Sequence, residues 1–573
     1  MNKYISKIKC LVDFNNQKRT FFVLLFLNLV NSLIEILSLS SILPLFYFIN
    51  YEEKISSFYI NNKLPFYIFI QSSTNILLLI FILLIIFVYF IKFIFVLYFN
   101  KFNFNFIKNI QFSITDKIYN NYMNKDLLYF TKVNSSDIIK NILYEPQIFS
   151  VNHLLPLVQL ITENFVIIFL FISLLLINPF YTIFNLILVS ISSLFIIKFS
   201  KSKIDYFGKL RVNNEGKRLK NLQESLNGLK EIRINQSQNF FKNIFSKLNL
   251  DVLNASEGLS FNQIIPRQFL ELIIIISLCL GVLSMKYFNY TNATIISVLT
   301  LFGISTFRIL PSINRVINFY QSIKFSMPSL EILFNCINDS KNNIQDNSGL
   351  SMPDHINNFS ILNGSFSYDK KIIFSNLNLS IKKGEFIGIL GSSGSGKTTL
   401  INIVLGLFNL SKGRFTINDI YYDDISNIGK LVGYVPQKAF VFDDSIKNNI
   451  AFAVKNDEIN EDLVWEVLDK VQLGNTIRNL PSGINSRISE SGMNFSGGQI
   501  QRISIARALY KKPQILIFDE ATASLDDLTE NKIIETILQL KNESIIIFIT
   551  HNTDLITNFD RVFEVKNSNL FEK

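Results

Sequence analysis

Six apolar runs, near residues 20–49, 75–99, 153–177, 180–199, 267–288 and 292–312, crowd the first 312 positions. Each is long enough, at roughly 17–25 residues or more, to carry a helix across a hydrocarbon layer. Backbone N–H and C=O groups find no water there, so each run is expected to be helical. Only Asn178-Pro179 separates the third run from the fourth, which predicts a tight helical hairpin. The chain is therefore expected to place an all-α, six-helix membrane domain over 1–340, a linker over 341–355 and a soluble domain over 356–573.

Charge orients the helices. Residues 1–19 carry five Lys/Arg against one Asp, and 198–261 carry twelve against six acids. In 50–74, Glu52, Glu53, Lys54 and Lys63 cancel. Positive charge concentrates on the cytoplasmic side, so the N-terminus, the connections 100–150 and 200–262 and the soluble domain are expected there. The formal net charge of +10 reads as membrane-flanking charge, and no nucleic-acid partner is expected. The first apolar run is too long for a cleavable leader. Cys10, Cys279 and Cys336 show neither metal-ligand nor CxxC spacing.

The two long connections are not plain loops. Leu219, Leu222, Leu226 and Leu229 recur at spacings of three and four, the period of a helix. Membrane helices are expected to continue into the cytoplasm, each pair joined by a short transverse helix. Beyond the polar stretch with Gly349 and Pro353, short β-type runs alternate with helical ones, which predicts an α/β domain.

"GSSGSGKTTL" at 391–400 follows the strand-like "EFIGIL" and opens a helix, the setting a phosphate-binding loop requires. Gly391, Gly394 and Gly396, with Ser392 and Ser395 between them, let backbone N–H groups curl around phosphates. Lys397 is expected to reach the β- and γ-phosphates, and Thr398, beside Thr399, to hold Mg²⁺. The cofactors expected are ATP and Mg²⁺. "QILIFDEAT" at 514–522 supplies the acids: Asp519 ends an apolar strand, where α/β sheets place ligands, and Glu520 follows. Asp519 is read as the metal carboxylate and Glu520 as the general base for water. "NFSGGQIQRISIARAL" at 494–509 offers a second anion-binding helix start. Two unlike phosphate sites in one chain make sense if each ATP is shared between two copies.

"GSSGSGKT", "FSGGQ", "ILIFDE" and "ITH", in this order, resemble the ATP-binding cassette family, and the six runs upstream resemble its exporter-type half-transporters. The resemblance implies an α/β P-loop nucleotide-binding domain, ATPase activity coupled to transport, a homodimer and a bacterial inner-membrane location. It also implies roles. Tyr368 in "SFSYDKK" stacks on adenine. Gln437 in "YVPQ" contacts Mg²⁺ and water. Ser496, Gly497 and Gly498 close on ATP held by the other copy. Asp526 in "ASLD" crosses the dimer interface, and His551 contacts the γ-phosphate. Phe495 stands where the family usually has Leu, and Arg487 stands where exporters often carry an acid, with Glu490 retained.

Charges within the membrane runs raise the question of cargo, because each is costly there. Arg308 and Arg315 lie seven apart on one face, Arg267 and Glu271 sit in the fifth run, Glu163 in the third, and Asn28, Asn31 and Glu35 line one face of the first. The arginines can be read as neutralised by Glu35 or Glu163, holding the bundle. They can equally line a polar lumen, Arg308, Arg315, Arg267 and Glu35 meeting a charged headgroup. "FRILPSINRVINFYQSI" and "EILSLSSILPLF" resemble the lipid-linked oligosaccharide flippases of the exporter group, which implies outward movement of a polyprenyl-pyrophosphate glycan by alternating access. Export of another lipid, a drug or a peptide is the alternative; an ATP-gated channel or regulatory ATPase is a rival of another class.

Overall fold

The computed structural model describes residues 2–12, 14–41, 74–177, 179–288, 292–341, 352–369, 371–489, 495–522, 527–550 and 553–573. It divides into two compact units, one of residues 1–125 and 129–344 and one of 126–128 and 345–573.

The first unit is helical. Its elements are α1 (Asn2–Val12), α2 (Phe14–Ser40), α3 (Thr74–Met123), α4 (Leu127–Lys132), α5 (Ser135–Ile139), α6 (Glu145–Phe149), α7 (Leu155–Ile177), α8 (Pro179–Asn227), α9 (Leu229–Ile234), α10 (Gln238–Tyr287), α11 (Asn292–Phe325) and α12 (Met327–Lys341). Single π-helical turns, Lys140–Tyr144 and Ser150–Leu154, flank α6. The described residues of the six expected spans fall on helix except Ser41 and Phe288, which are turns, and residues 42–49 of the first lie outside the described residues. Four stretches among the described residues, Ile82–Met123, Ser135–Ile172, Thr182–Asn227 and Gln238–Tyr287, are long and apolar enough to cross a membrane. The segment 50–73 and Asn178 lie outside the described residues.

Helix length explains the long connections. α3 and α10 have 50 residues each and α8 has 49. At 1.5 Å per residue they run about 75 Å, more than twice the ~30 Å hydrocarbon core. Each must emerge well into water, and the short α4 and α9 follow two of those extensions. The reason is visible in the side chains: outward-facing Leu83, Phe87, Phe90 and Phe93 on α3 are exposed apolar groups, whereas its later turns bury Ile107, Ile110, Ile114 and Ile118 against Phe149, Leu330 and Leu333.

That packed base contains one buried ion pair. Arg211 of α8 donates to Glu145 of α6 (3.0 Å) and to Ser329 of α12 (2.7 Å), and its guanidinium lies over the Phe325 ring at 5.7 Å. The side chains are 5% and 0% exposed, so water cannot replace either partner.

The second unit is α/β. A six-stranded sheet runs β12 (Asn569–Glu572), β11 (Arg561–Lys566), β3 (Phe386–Leu390), β10 (Ile545–Ile549), β9 (Ile515–Asp519), β6 (Val432–Val435). All neighbours are parallel except β12. "FIGIL", "ILIFD" and "IIIFI" are apolar but for the terminal Asp519 because these strands are covered on both faces. A four-stranded antiparallel sheet is ordered β2 (Lys371–Lys382), β1 (Asn358–Tyr368), β4 (Lys412–Ile417), β5 (Ile420–Tyr422). Parallel strands point their C-terminal ends one way, so the turns after β3, β9 and β10 share one edge of the sheet.

Removing one member of a buried pair strands a charge. Glu145→Ala is expected to destabilise the helical unit by about 3–5 kcal/mol, read by SDS titration of the purified protein; a loss under about 1 kcal/mol, typical of an exposed pair, would show that water reaches Arg211.

Candidate functional site

The turn after β3 closes on α13 (Lys397–Val404), whose N-cap Gly396 has φ 114°, with Gly394 at φ 78°. Only glycine takes such angles without strain, so the residue order dictates the curl. Lys397 is buried, and its ammonium donates to the carbonyls of Gly391 (2.7 Å) and Ser392 (3.1 Å). Burial pulls its pKa below the lysine value, opposed by the charges of Glu520 and Asp519. Ser395 Oγ is buried without a hydrogen-bond partner among the described residues. A desolvated cation and an unpaired hydroxyl in a glycine-lined turn fit a phosphate group.

Tyr368 ends β1 beside this loop. Its hydroxyl lies 3.4 Å from Thr399 Oγ1, and its ring meets Phe366 and Phe408 edge-on at 5.1 and 5.8 Å. Thr398 is exposed on the first turn of α13.

Asp519 ends β9, 8% exposed. Burial raises its pKa and the Glu520 charge adds to that, while Tyr434 and Lys397 lower it. Tyr434, in β6 next to β9, donates its hydroxyl to Asp519 Oδ2 (3.3 Å); burial and the Asp519 charge push the phenol pKa up, so the donor keeps its proton. Glu520 takes φ 51° and donates its N–H to Ile549 O (3.0 Å). Such a backbone costs a non-glycine residue about 1–3 kcal/mol and clusters where geometry serves function. Gln437 donates through Nε2 to Glu520 Oε2 (2.5 Å). The oxygens of Thr398, Gln437 and Asp519 are the hard donors that Mg²⁺ takes.

The loop carrying Gln437 is fastened by α14 (Gly497–Tyr510), whose Gln501 donates to Pro436 O (2.9 Å) and whose half-buried Arg507 donates to Asn449 O (2.7 Å) and Phe440 O (2.8 Å). Ser496 caps that helix: its Oγ accepts from Gln499 N (3.2 Å), and Gln499 Oε1 accepts from Ser496 N (2.8 Å). Ser496 and Gly497 are exposed, with Gly498 behind them. Arg487 pairs with Asp443 (2.8 Å). Asp526, His551 and Glu490 lie outside the described residues.

In the helical unit Arg315 of α11 meets Glu163 of α7 at 2.7 Å and donates to Ser312 (3.1 Å). Arg267 pairs within α10 with Glu271 (3.0 Å), both exposed. Glu35 is half-buried on α2. The Arg308 side chain lies outside the described residues. Asn28, fully buried on α2, accepts a hydrogen bond from Thr162 of α7, and Lys92 of α3 donates to Ser38 of α2 (3.0 Å). The structure adds Tyr434, Gln501, Arg507 and Lys92 to the residues the sequence predicts. Lys92 had a legible signal, a lone cation inside an apolar run; the other three are identified only by their tertiary partners.

Residues 374–523 match the ABC transporter family. An export ATP-binding/permease protein of Rickettsia felis is 40% identical over 195 residues, 34% of this chain and 34% of that protein; the alignment thus spans about a third of that relative. An ATP-dependent lipid A-core flippase of Colwellia psychrerythraea is 27% identical over 450 residues, 78% of this chain and 76% of that protein. The structure of a bacterial Atm1-family ABC exporter with ATP bound shares the fold, with TM-score 0.78 and 17% identity over 97% of this chain and 94% of that one.

A raised carboxyl pKa has a definite sign. The folded state holds the Asp519 proton more tightly than the unfolded chain does, so this group favours the fold at low pH and loses that contribution as pH rises through its elevated pKa. Asp519→Asn is therefore expected to raise the neutral-pH melting temperature of nucleotide-free protein, with the gain shrinking on acidification, while Mg²⁺-dependent nucleotide binding is lost. Paired thermal melts across pH check it.

Proposed function

We propose that this chain, whose residues 374–523 match the ABC transporter family, is an ATP-driven membrane exporter working as a homodimer. The observation that carries the ATPase reading is the hydrogen bond of Gln437 to Glu520 beside Asp519, at the strand edge that also carries the phosphate loop. Lys397 and the loop N–H groups bind the β- and γ-phosphates. Mg²⁺, held by Thr398, Gln437 and Asp519, would offset charge on the phosphate oxygens. Gln437 orients a water, and Glu520 takes its proton as the water oxygen bonds to the γ-phosphorus and the bond to the ADP oxygen breaks. His551 contacts the γ-phosphate, and Tyr368 stacks on adenine.

The exposed start of α14 supports sharing of the site between two copies. Ser496, Gly497 and Gly498 present a helix N-terminus, which attracts anions, and Asp526 belongs to the same interface. ATP draws two cassettes together, closure opens the membrane cavity outward, and hydrolysis resets it. The excess of Lys/Arg in residues 1–19 and 198–261 supports a bacterial inner-membrane location with the N-terminus and cassette cytoplasmic.

For cargo we favour a polyprenyl-pyrophosphate-linked glycan, moved outward, with Arg308 and Arg315 meeting the pyrophosphate and Arg267 and Glu35 at the edges of the path. Forked guanidinium groups suit phosphate oxygens. A second reading has a specific observation behind it. The Arg315–Glu163 pair already neutralises one arginine, which suits a bundle-holding role and export of another lipid, such as a lipid A-type amphiphile.

Glu520→Gln is expected to leave ATP binding intact and lower turnover by at least about a hundredfold, a common scale for loss of a general base; wild-type-like hydrolysis would refute the assignment. Cargo is tested by ATPase activity in vesicles containing polyprenyl-linked glycans, lipid A-type lipids or drugs. Stimulation by the glycans that disappears in Arg308→Ala and Arg315→Ala supports the first choice, and stimulation that survives both changes supports the second.

A further inference from the structure

The Tyr434–Asp519 hydrogen bond joins two neighbouring strands of the cassette at the edge that carries the phosphate loop. β6 runs parallel to β9, with Val432 beside Ile515 and Tyr434 beside Ile517. Side chains alternate along a strand, so Tyr434 shares a face with Ile517 and, two places on, Asp519. Val432, Ile515 and Ile517 of that face share a core with Leu400 and Ile401 of α13, and the Tyr434 ring packs against it. The helix that begins at Lys397 therefore covers the face from which the tyrosine projects. A phenol is long enough to reach past its own register position, and its hydroxyl meets Asp519 Oδ2 at 3.3 Å.

The carboxylate needs such a partner. The terminal torsion of an aspartate is broad and roughly two-fold, so an unheld carboxylate turns easily. Among the described residues, Tyr434 alone hydrogen-bonds the Asp519 carboxylate. Lys397, the cation whose charge is felt there, donates to the carbonyls of Gly391 and Ser392 instead. That division has a chemical consequence. An ammonium bonded to Asp519 would cancel its charge, whereas a neutral phenol fixes the group and leaves the negative charge for a metal ion. Burial and the adjacent anion keep the phenol protonated, so it remains the donor.

We propose that Tyr434 is a positioning residue for the metal: it pins Asp519 Oδ2 and so presents Oδ1 to the Mg²⁺ that accompanies bound ATP. This role rests on the reading of Asp519 as the metal carboxylate. Carboxylates that ligate metals are themselves hydrogen-bonded, and losing the outer partner costs about 10–100-fold in metal affinity or activity. The competing role is ring packing alone, which phenylalanine would also perform.

The test measures the affinity of the full chain, in lipid vesicles, for the non-hydrolysable analogue AMP-PNP, once with Mg²⁺ and once in EDTA. The ratio of the two dissociation constants reports the metal contact without turnover. Metal binding by the nucleotide itself is common to all variants and cancels between them. Tyr434→Phe is expected to shrink the Mg²⁺-dependent gain about ten-fold, with the affinity in EDTA unchanged. p-Aminophenylalanine in place of Tyr434 keeps a donor on the same ring and is expected to restore the gain. A full gain in Tyr434→Phe overturns the proposal. So does an equal loss with and without Mg²⁺, which would assign the tyrosine to packing. An amino variant no better than Tyr434→Phe overturns the donor role. Asp519→Asn separates the two claims: it should lose the gain whatever stands at 434, and a gain retained there defeats the metal reading of Asp519 itself.

Discussion

A carboxylate held out of water at the end of a buried strand organises the cassette. Asp519 is covered because β9 lies between β6 and β10 in the sheet, and that cover makes its negative charge costly until a cation meets it. Lys397 carries the mirror-image cost: burial disfavours its charge, and the carbonyl oxygens of Gly391 and Ser392 hold its ammonium. Two opposite desolvated charges at one sheet edge define a site for a phosphate and its metal. The strained backbone of Glu520 and the short contact to Gln437 persist because the strand ends on either side fix both residues.

The helical unit works under a different constraint. Apolar side chains may face outward wherever lipid surrounds a helix, but the same helices run on into water, where they need a core. The isoleucine stripe of α3, closed by Phe149 and Leu330, provides that core, and the Arg211–Glu145 pair fixes how three helices meet within it. A buried pair adds little net stability against an apolar replacement, yet it penalises any other register. The polar contacts nearer the membrane, Asn28 with Thr162 and Arg315 with Glu163, follow the same logic between α2, α7 and α11.

Much of this was legible in the residue order. Glycine spacing, a following lysine and a preceding apolar strand predict the phosphate loop because each part answers a local steric or electrostatic need. Helix was readable from apolar runs for a similar local reason. Four stretches among the described residues meet the length and apolarity required to span a membrane. Tyr434, Gln501 and Arg507 were not legible, because their roles lie in which oxygen each donates to, and those oxygens are distant in sequence.

The sequence by itself determined the kinds of element and the chemistry at their ends, since bilayer-length apolar runs, a glycine-bent turn and an acid after an apolar strand each act within a few residues. Only the tertiary structure decided the pairings. That Arg315 faces Glu163 rather than Glu271, that Gln437 reaches Glu520, and that Tyr434 meets Asp519 all depend on helix packing and strand order. These join residues tens to hundreds of positions apart, and no local spacing encodes which of several equivalent partners will come within hydrogen-bonding reach.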